Sequence, residues 1–167
     1  MIYYITGGER SGKSSYAQNL ALSFSQTPKY VATSRIWGED HRKRIDRHIA
    51  DRDERWTSIE EEKELASVIN KNDVVVIDCV TLWLTNFYVD TKNDVEKSLD
   101  LAKYEFEKLL EINATIIIIS NEIGMGVHAQ TEIGRKFTEL QGWMNQYIAK
   151  NADRATLMVS GIPLKLK

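Results

Sequence analysis

Apolar, β-branched runs alternate with longer amphipathic stretches along the whole chain, the pattern of a parallel sheet covered by helices. The spacing predicts strands over residues 2–6, 29–33, 73–79, 114–120 and 155–160. Helices are predicted over 13–24, 40–54, 60–70, 94–111 and 131–151, with a short one over 81–88. Three runs, Val74-Val75-Val76-Ile77, Ile116-Ile117-Ile118-Ile119 and Leu157-Met158-Val159, do not alternate between apolar and polar. Such runs belong in the middle of a sheet, where both faces are covered. The reading is an α/β fold: a mostly parallel central sheet with helices on both faces, one domain over residues 1–167. The charged stretch at about 35–55 would run beyond the sheet edge as a helical excursion.

The first apolar strand leads straight into Gly7-Gly8-Glu9-Arg10-Ser11-Gly12-Lys13-Ser14, which fits G-x-x-x-x-G-K-[ST] at every fixed position. Glycines let backbone amides close around phosphate oxygens, and the helix that follows offers unpaired N–H groups and a positive dipole end to the same anion. Lys13 then reaches the β- and γ-phosphates, and the Ser14 hydroxyl ligates Mg²⁺. A strand, this loop and an amphipathic helix in that order predict a P-loop NTPase (RecA-like) architecture. The run Val74–Ile77 ends in Asp78, the form of a Walker-B segment; a carboxylate at that strand end holds Mg²⁺ or, on the bland alternative, caps the next helix.

Within the charged stretch, Ile45 and Ile49 supply a buried stripe, while Arg44, His48 and Arg52 stand four residues apart along one helix edge. Two guanidinium groups beside an imidazole suit a phosphate-bearing ligand and favour the neutral, nucleophilic imidazole. A solvated, charge-laced surface helix fits the same residues.

Composition narrows the field without deciding it. The 167 residues carry 43% hydrophobic and 28% charged side chains and a formal charge of −2, with no dense basic tract, so neither nucleic acid nor a membrane surface is expected as a partner. No apolar stretch reaches membrane-spanning length and no signal-peptide pattern precedes the first strand, which predicts a cytoplasmic protein without a membrane anchor. One cysteine, Cys79, fits a reducing compartment.

Further elements accompany the P-loop: Tyr30-Val31-Ala32-Thr33-Ser34, Arg44-Ile45-x-x-His48-x-x-x-Arg52-x-x-x-Trp56-x-x-x-Glu60, Asp78-Cys79-Val80-Thr81-Leu82-Trp83-Leu84-Thr85-Asn86 and Ser120-Asn121-Glu122-Ile123-Gly124-Met125-Gly126, of which the Arg-Ile-x-x-His and Asn-Glu-x-Gly-Met-Gly elements are far more particular than the loop itself. Gly142-x-x-Asn145-Gln146 and Ser160-Gly161-Ile162-Pro163-Leu164-x-x-Lys167 complete the set. With these the chain resembles, nearly end to end, the bifunctional adenosylcobinamide kinase/adenosylcobinamide-phosphate guanylyltransferase family of cobalamin biosynthesis. Glu9 stands where the family pattern typically has alanine, and the segment between Asn86 and Asp94 looks short.

The resemblance implies two reactions. A nucleoside triphosphate, ATP or GTP, phosphorylates adenosylcobinamide; GTP then transfers GMP to adenosylcobinamide phosphate through a guanylyl-histidine at the position matched by His48. It implies Lys13 as the second catalytic residue, nucleotide contacts from the whole loop 7–14 and from Thr33, Ser34, Arg35, Arg52, Glu60 and Asp78, and Mg²⁺ on Ser14 and Asp78. Glu60 is a candidate reader of the guanine edge or, blandly, the start of a helix. A homotrimer with sites near subunit boundaries is the family precedent. The rival readings are a simple small-molecule kinase without histidine chemistry and a nucleotide-binding switch.

Overall fold

The computed structural model describes residues 1–35 and 53–167. A seven-stranded sheet organises them, built from β1 (Ile2–Gly7), β2 (Lys29–Ala32), β3 (Thr57–Glu60), β4 (Val74–Asp78), β5 (Thr115–Asn121), β6 (Arg154–Val159) and β7 (Ile162–Lys165) in the order β3-β2-β4-β5-β1-β6-β7. Every pairing is parallel except β6 with β7. Helix α1 (Lys13–Phe24) covers one face; α2 (Val80–Asp90), α3 (Val95–Glu111) and α4 (Glu132–Asn151) cover the other.

Strict alternation divides the core in two. Ile5, Val76, Ile117, Ile119 and Met158 pack against Ala17 and Ala21 of α1. Their neighbours Tyr4, Val75, Ile77, Ile116 and Ile118 pack under Trp83, Phe106, Leu140 and Met144. The runs in β4 and β5 are apolar throughout because each residue meets a helix, whichever face it takes. Leu157-Met158-Val159 departs from the expectation of a central strand: β6 lies one place from the edge, and Val159 is half exposed.

Two strands were not expected. β3 carries Thr57, Ser58 and Glu60 outward and half-buries only Ile59, as an edge strand can, so it shows no apolar run. β7 follows the Ser160-Gly161 turn, where positive φ at both residues (50° and 82°) gives the tight hairpin link that matches strand twist. Pro163 is tolerated there because an edge strand leaves one row of N–H groups unpaired.

The helix expected over 60–70 is corrected. Glu60 ends β3, the Glu61 carboxylate accepts from the amides of Lys63 (2.9 Å) and Glu64 (2.8 Å), and only a 3₁₀ turn (Leu65–Val68) follows. Leu65, Val68 and Ile69 have a spacing that one tight turn satisfies as well as a helix does. Of the helix expected over 40–54, all but the last two residues lie outside the described residues; 53 and 54 are not helical. The short-looking segment after Asn86 continues α2 to Asp90 and closes in a turn with Lys92 and Asn93 at positive φ.

Burial has a consequence at alkaline pH. It pushes the Cys79 thiol from 9.0 up to about 12 and the Tyr4 hydroxyl from 10.0 up to about 12. Between pH 9 and 12 the unfolded chain releases these protons while the folded one keeps them, so stability falls as pH rises, by about 1.4 kcal/mol per pH unit for each group in its window. Thermal melts of the wild type against Cys79→Ala across this range should show the variant with the shallower decline, beginning nearer pH 10 than pH 9. Parallel slopes would contradict the assignment.

Candidate active site

Because β1 to β6 run parallel, their carboxyl ends form one rim, and crevices outside such a rim are where open α/β sheets hold ligands. At its centre Gly7 leaves β1 and the chain curls through Arg10, at φ 54°, to Gly12, at φ 93°, the N-cap of α1. The first turn of α1 holds no acidic residue. Residues 10–15 line a pocket of about 240 Å³. Ser11 Oγ is buried there with no partner among the described residues, an unused donor beside an anion-shaped cradle.

The loop is clamped from behind. Gly161 N donates to Ser11 O at 2.9 Å, and the Gly161 Cα lies 3.2 Å from where a Cβ on Gly12 would stand. The Ser160-Gly161 turn therefore backs the phosphate loop. A Cβ on Gly7 would lie 2.5 Å from the Met158 carbonyl oxygen, on a residue with φ 153°, whereas one on Gly8 would meet nothing within 4 Å. Gly7→Ala should accordingly cost about 3 kcal/mol or more and lower the melting temperature by many degrees, while Gly8→Ala stays within about 1 kcal/mol. Equal effects in chemical denaturation would refute this packing.

Lys13 is 7% exposed and donates from Nζ across the loop to Gly8 O at 2.6 Å. Burial holds its ammonium below the usual lysine range; the Asp78 and Glu9 carboxylates pull it back up. Glu9 itself is exposed at the loop tip, so it adds field to the loop without filling it. Ser14 Oγ donates to Asp78 Oδ2 at 3.0 Å, which brings together the two residues expected at the metal although β4 and β1 are separated by β5. One hydroxyl and one carboxylate, both hard oxygen donors, fit Mg²⁺, which takes few protein ligands and completes its shell with phosphate and water. Among the described residues, no group of three or more His, Cys, Asp or Glu side chains could hold a metal unaided.

The remaining expected contacts divide. Thr33 is fully buried; its Oγ1 donates to Cys79 O at 2.8 Å and accepts from Cys79 N at 2.9 Å, so its hydroxyl pins β2's exit to β4's exit. Ser34 Oγ lies 3.3 Å from Arg35 O. The Arg35 guanidinium bonds Asp90 through both terminal nitrogens (2.9 and 3.0 Å) and Glu62 through Nε (2.7 Å), and these partners raise its pKa further. Glu60 is exposed at the end of edge strand β3, four strand spacings or about 19 Å from β1. His48 and Arg52 lie outside the described residues.

Other rim residues belong to the motifs that follow β4 and β5. Asn86, 1% exposed, donates to Thr33 O (2.7 Å) and Glu62 O (2.9 Å), and Trp83 Nε1 donates to Lys63 O (3.0 Å), so α2 ties residues 33–35 to residues 61–63. Trp83 is thereby core. Asn121, on the α1 side of β5, donates to Thr81 Oγ1 at 3.0 Å, and Glu122 N donates to Gly7 O at 3.0 Å. The sequence signal was polar residues directly after an apolar strand.

This loop, its backing turn and the Ser14–Asp78 pair define a P-loop nucleotide-binding protein. Residues 3–166 match the family model described as cobinamide kinase / cobinamide phosphate guanyltransferase, and the chain belongs to that family of bifunctional kinase and guanylyltransferase enzymes. It is 35% identical over 167 residues to the bifunctional adenosylcobalamin biosynthesis protein CobP of Pseudomonas aeruginosa, covering 98% of this chain and 95% of that one. It is 34% identical to the bifunctional adenosylcobalamin biosynthesis protein CobU of Escherichia coli, covering both chains completely. Among solved structures, the flagellar accessory protein FlaH of Methanocaldococcus jannaschii superposes with a TM-score of 0.47 at 15% identity, over 99% of this chain and 77% of that one. No helix among the described residues is long and apolar enough to cross a membrane.

Proposed function

We propose that this protein phosphorylates adenosylcobinamide with a nucleoside triphosphate and then transfers GMP from GTP to the resulting phosphate, with His48 carrying GMP in between. The observation that carries the reading is the phosphate cradle: Lys13 across the loop, the N-terminus of α1 behind it, and Ser14 bonded to Asp78 at its mouth. Family membership supplies the acceptor.

In the first reaction the acceptor hydroxyl oxygen forms a bond to the γ-phosphorus as the bond to the β-phosphate oxygen breaks; the proton passes to solvent or a carboxylate at the rim. Positioning and charge stabilisation do most of this work, and both come from the loop amides, Lys13 and the Ser14–Asp78 pair. In the second, a neutral His48 nitrogen bonds the α-phosphorus and pyrophosphate leaves. The same cradle, gripping the β- and γ-phosphates, stabilises the charge growing on that leaving group. The phosphate of the corrinoid intermediate then attacks the α-phosphorus and frees His48. Mg²⁺ bound at Ser14 and Asp78 would neutralise phosphate charge in both reactions.

Thr33, Ser34, Arg35, Arg52 and Glu60 complete the proposed nucleotide contacts, Glu60 accepting from guanine N1–H and N2–H₂. The assembly is a homotrimer in the cytoplasm on the family precedent. Incubation with α-labelled GTP and Mg²⁺ should give a protein adduct that is acid-labile and base-stable, whereas γ-labelled GTP should give none. Absence of label alongside cobinamide phosphorylation would leave a simple kinase; tight binding with neither would leave a nucleotide switch.

A further inference from the structure

Asp78 Oδ2 accepts two hydroxyl hydrogen bonds, from Ser14 and from Tyr30. Ser14 belongs to the phosphate loop's helix and its role follows from the motif. Tyr30 belongs to β2, and no reading of the site assigns it chemistry. Its ring is 3% exposed in the cluster under α1, and Trp56 meets it edge-on at 6.0 Å and 79°. Register explains the approach: Ala32 pairs with Asp78 and Tyr30 with Val76, so Tyr30 and Asp78 share the α1 face one strand apart on a diagonal. A buried tyrosine hydroxyl needs an acceptor, commonly a backbone carbonyl; here it takes the carboxylate that also bonds Ser14.

We infer that Tyr30 is a positioning residue for the metal-binding carboxylate, an inference that rests on the Ser14–Asp78 metal reading. Two donors on Oδ2 occupy its lone pairs and fix the plane of the carboxylate. That leaves Oδ1 as the oxygen that would take a divalent cation held beside Ser14, directly or through its water. Ser14 can turn its lone pairs to the cation while its single hydrogen stays on Asp78. The Tyr30 bond, held by a ring that cannot swing within its packing, keeps Asp78 from rotating as the cation enters and leaves. Outer partners of this kind typically change metal affinity by one to two orders of magnitude.

The test uses the full chain as wild type, Tyr30→Phe and Ser14→Ala. Mn²⁺ binding is titrated by electron paramagnetic resonance with saturating GTP, and the affinity for a fluorescent GTP analogue is measured in excess chelator. Tyr30→Phe should raise the Mn²⁺ half-saturation about tenfold while the chelator affinity stays within about twofold. Unchanged Mn²⁺ binding in Tyr30→Phe, with Ser14→Ala impaired, would make Tyr30 a packing residue only. An equal loss with and without metal would mean that the substitution distorts the cradle, and would likewise overturn the inference. If Ser14→Ala also leaves Mn²⁺ binding intact, the metal reading itself falls and takes this inference with it.

Discussion

Lys13→Ala is expected to reduce both partial reactions together, each by about 100-fold or more, with little loss of folding stability. The shared loss follows from where Lys13 sits. Its ammonium is buried at the N-terminal end of α1, and burial already holds its pKa below the usual lysine range, so it is a charge that gains from a polyanion arriving. In the proposed reactions it would grip the γ-phosphate as that group transfers and pyrophosphate as that leaves. Removing one preorganised donor from a water-poor site typically costs two to three orders of magnitude in rate. Stability should hold because, among the described residues, the one hydrogen bond of the Lys13 side chain lies within its own loop. Side-by-side assays with γ- and α-labelled GTP measure the two losses. A variant that keeps guanylyl transfer near wild type while losing kinase activity would mean two separate phosphate sites.

His48→Ala should do the opposite and separate the reactions. Label from α-labelled GTP should vanish, since alanine offers no nucleophile, and GDP-cobinamide formation should stop. Cobinamide phosphorylation should persist within a few-fold, because the γ-phosphoryl transfer passes directly between oxygens held by the cradle. Assay of phosphorylated cobinamide against covalent label in the same preparation reads both. Loss of both activities in a well-folded variant would make the histidine a substrate-binding residue rather than the carrier of GMP.

How far these roles could be read beforehand depended on how local their physics is. The phosphate loop was legible because G-x-x-x-x-G-K-[ST] needs its residues in one contiguous turn, and Gly7 and Gly12 have the positive φ that the motif implies. The strands β4 and β5 were legible because both their faces are covered, which leaves an unbroken apolar run. β3 and β7 were not, since an edge strand with one partner needs little apolar area, and what defines each is its neighbour's register rather than its own pattern. The 3₁₀ turn passed for a helix because Leu65, Val68 and Ile69 match either period.

Long-range roles were the least legible. Tyr30 reaches Asp78 across 48 positions of sequence, and Asn86 reaches Thr33 across 53. Neither contact leaves a local mark; each depends on β2 lying beside β4 in the sheet. Gly161 backing the P-loop is of the same kind, a turn whose local signal was plain but whose partner 150 positions away was not. Arg35 shows the converse. The family resemblance marks it as a nucleotide contact, and its engagement by Glu62 and Asp90 in the fold is a pairing that its own sequence neighbourhood does not reveal.

Whether one cradle holds the triphosphate while His48 receives the guanylyl group can be decided by locating the labelled atom. Protein charged with α-labelled GTP is digested under alkaline conditions, which preserve a phosphoramidate, and the labelled peptide is fragmented by mass spectrometry. GMP is expected on the imidazole of His48, with label that leaves when cobinamide phosphate is added. GMP on Lys13, on a hydroxyl or on another histidine would contradict it.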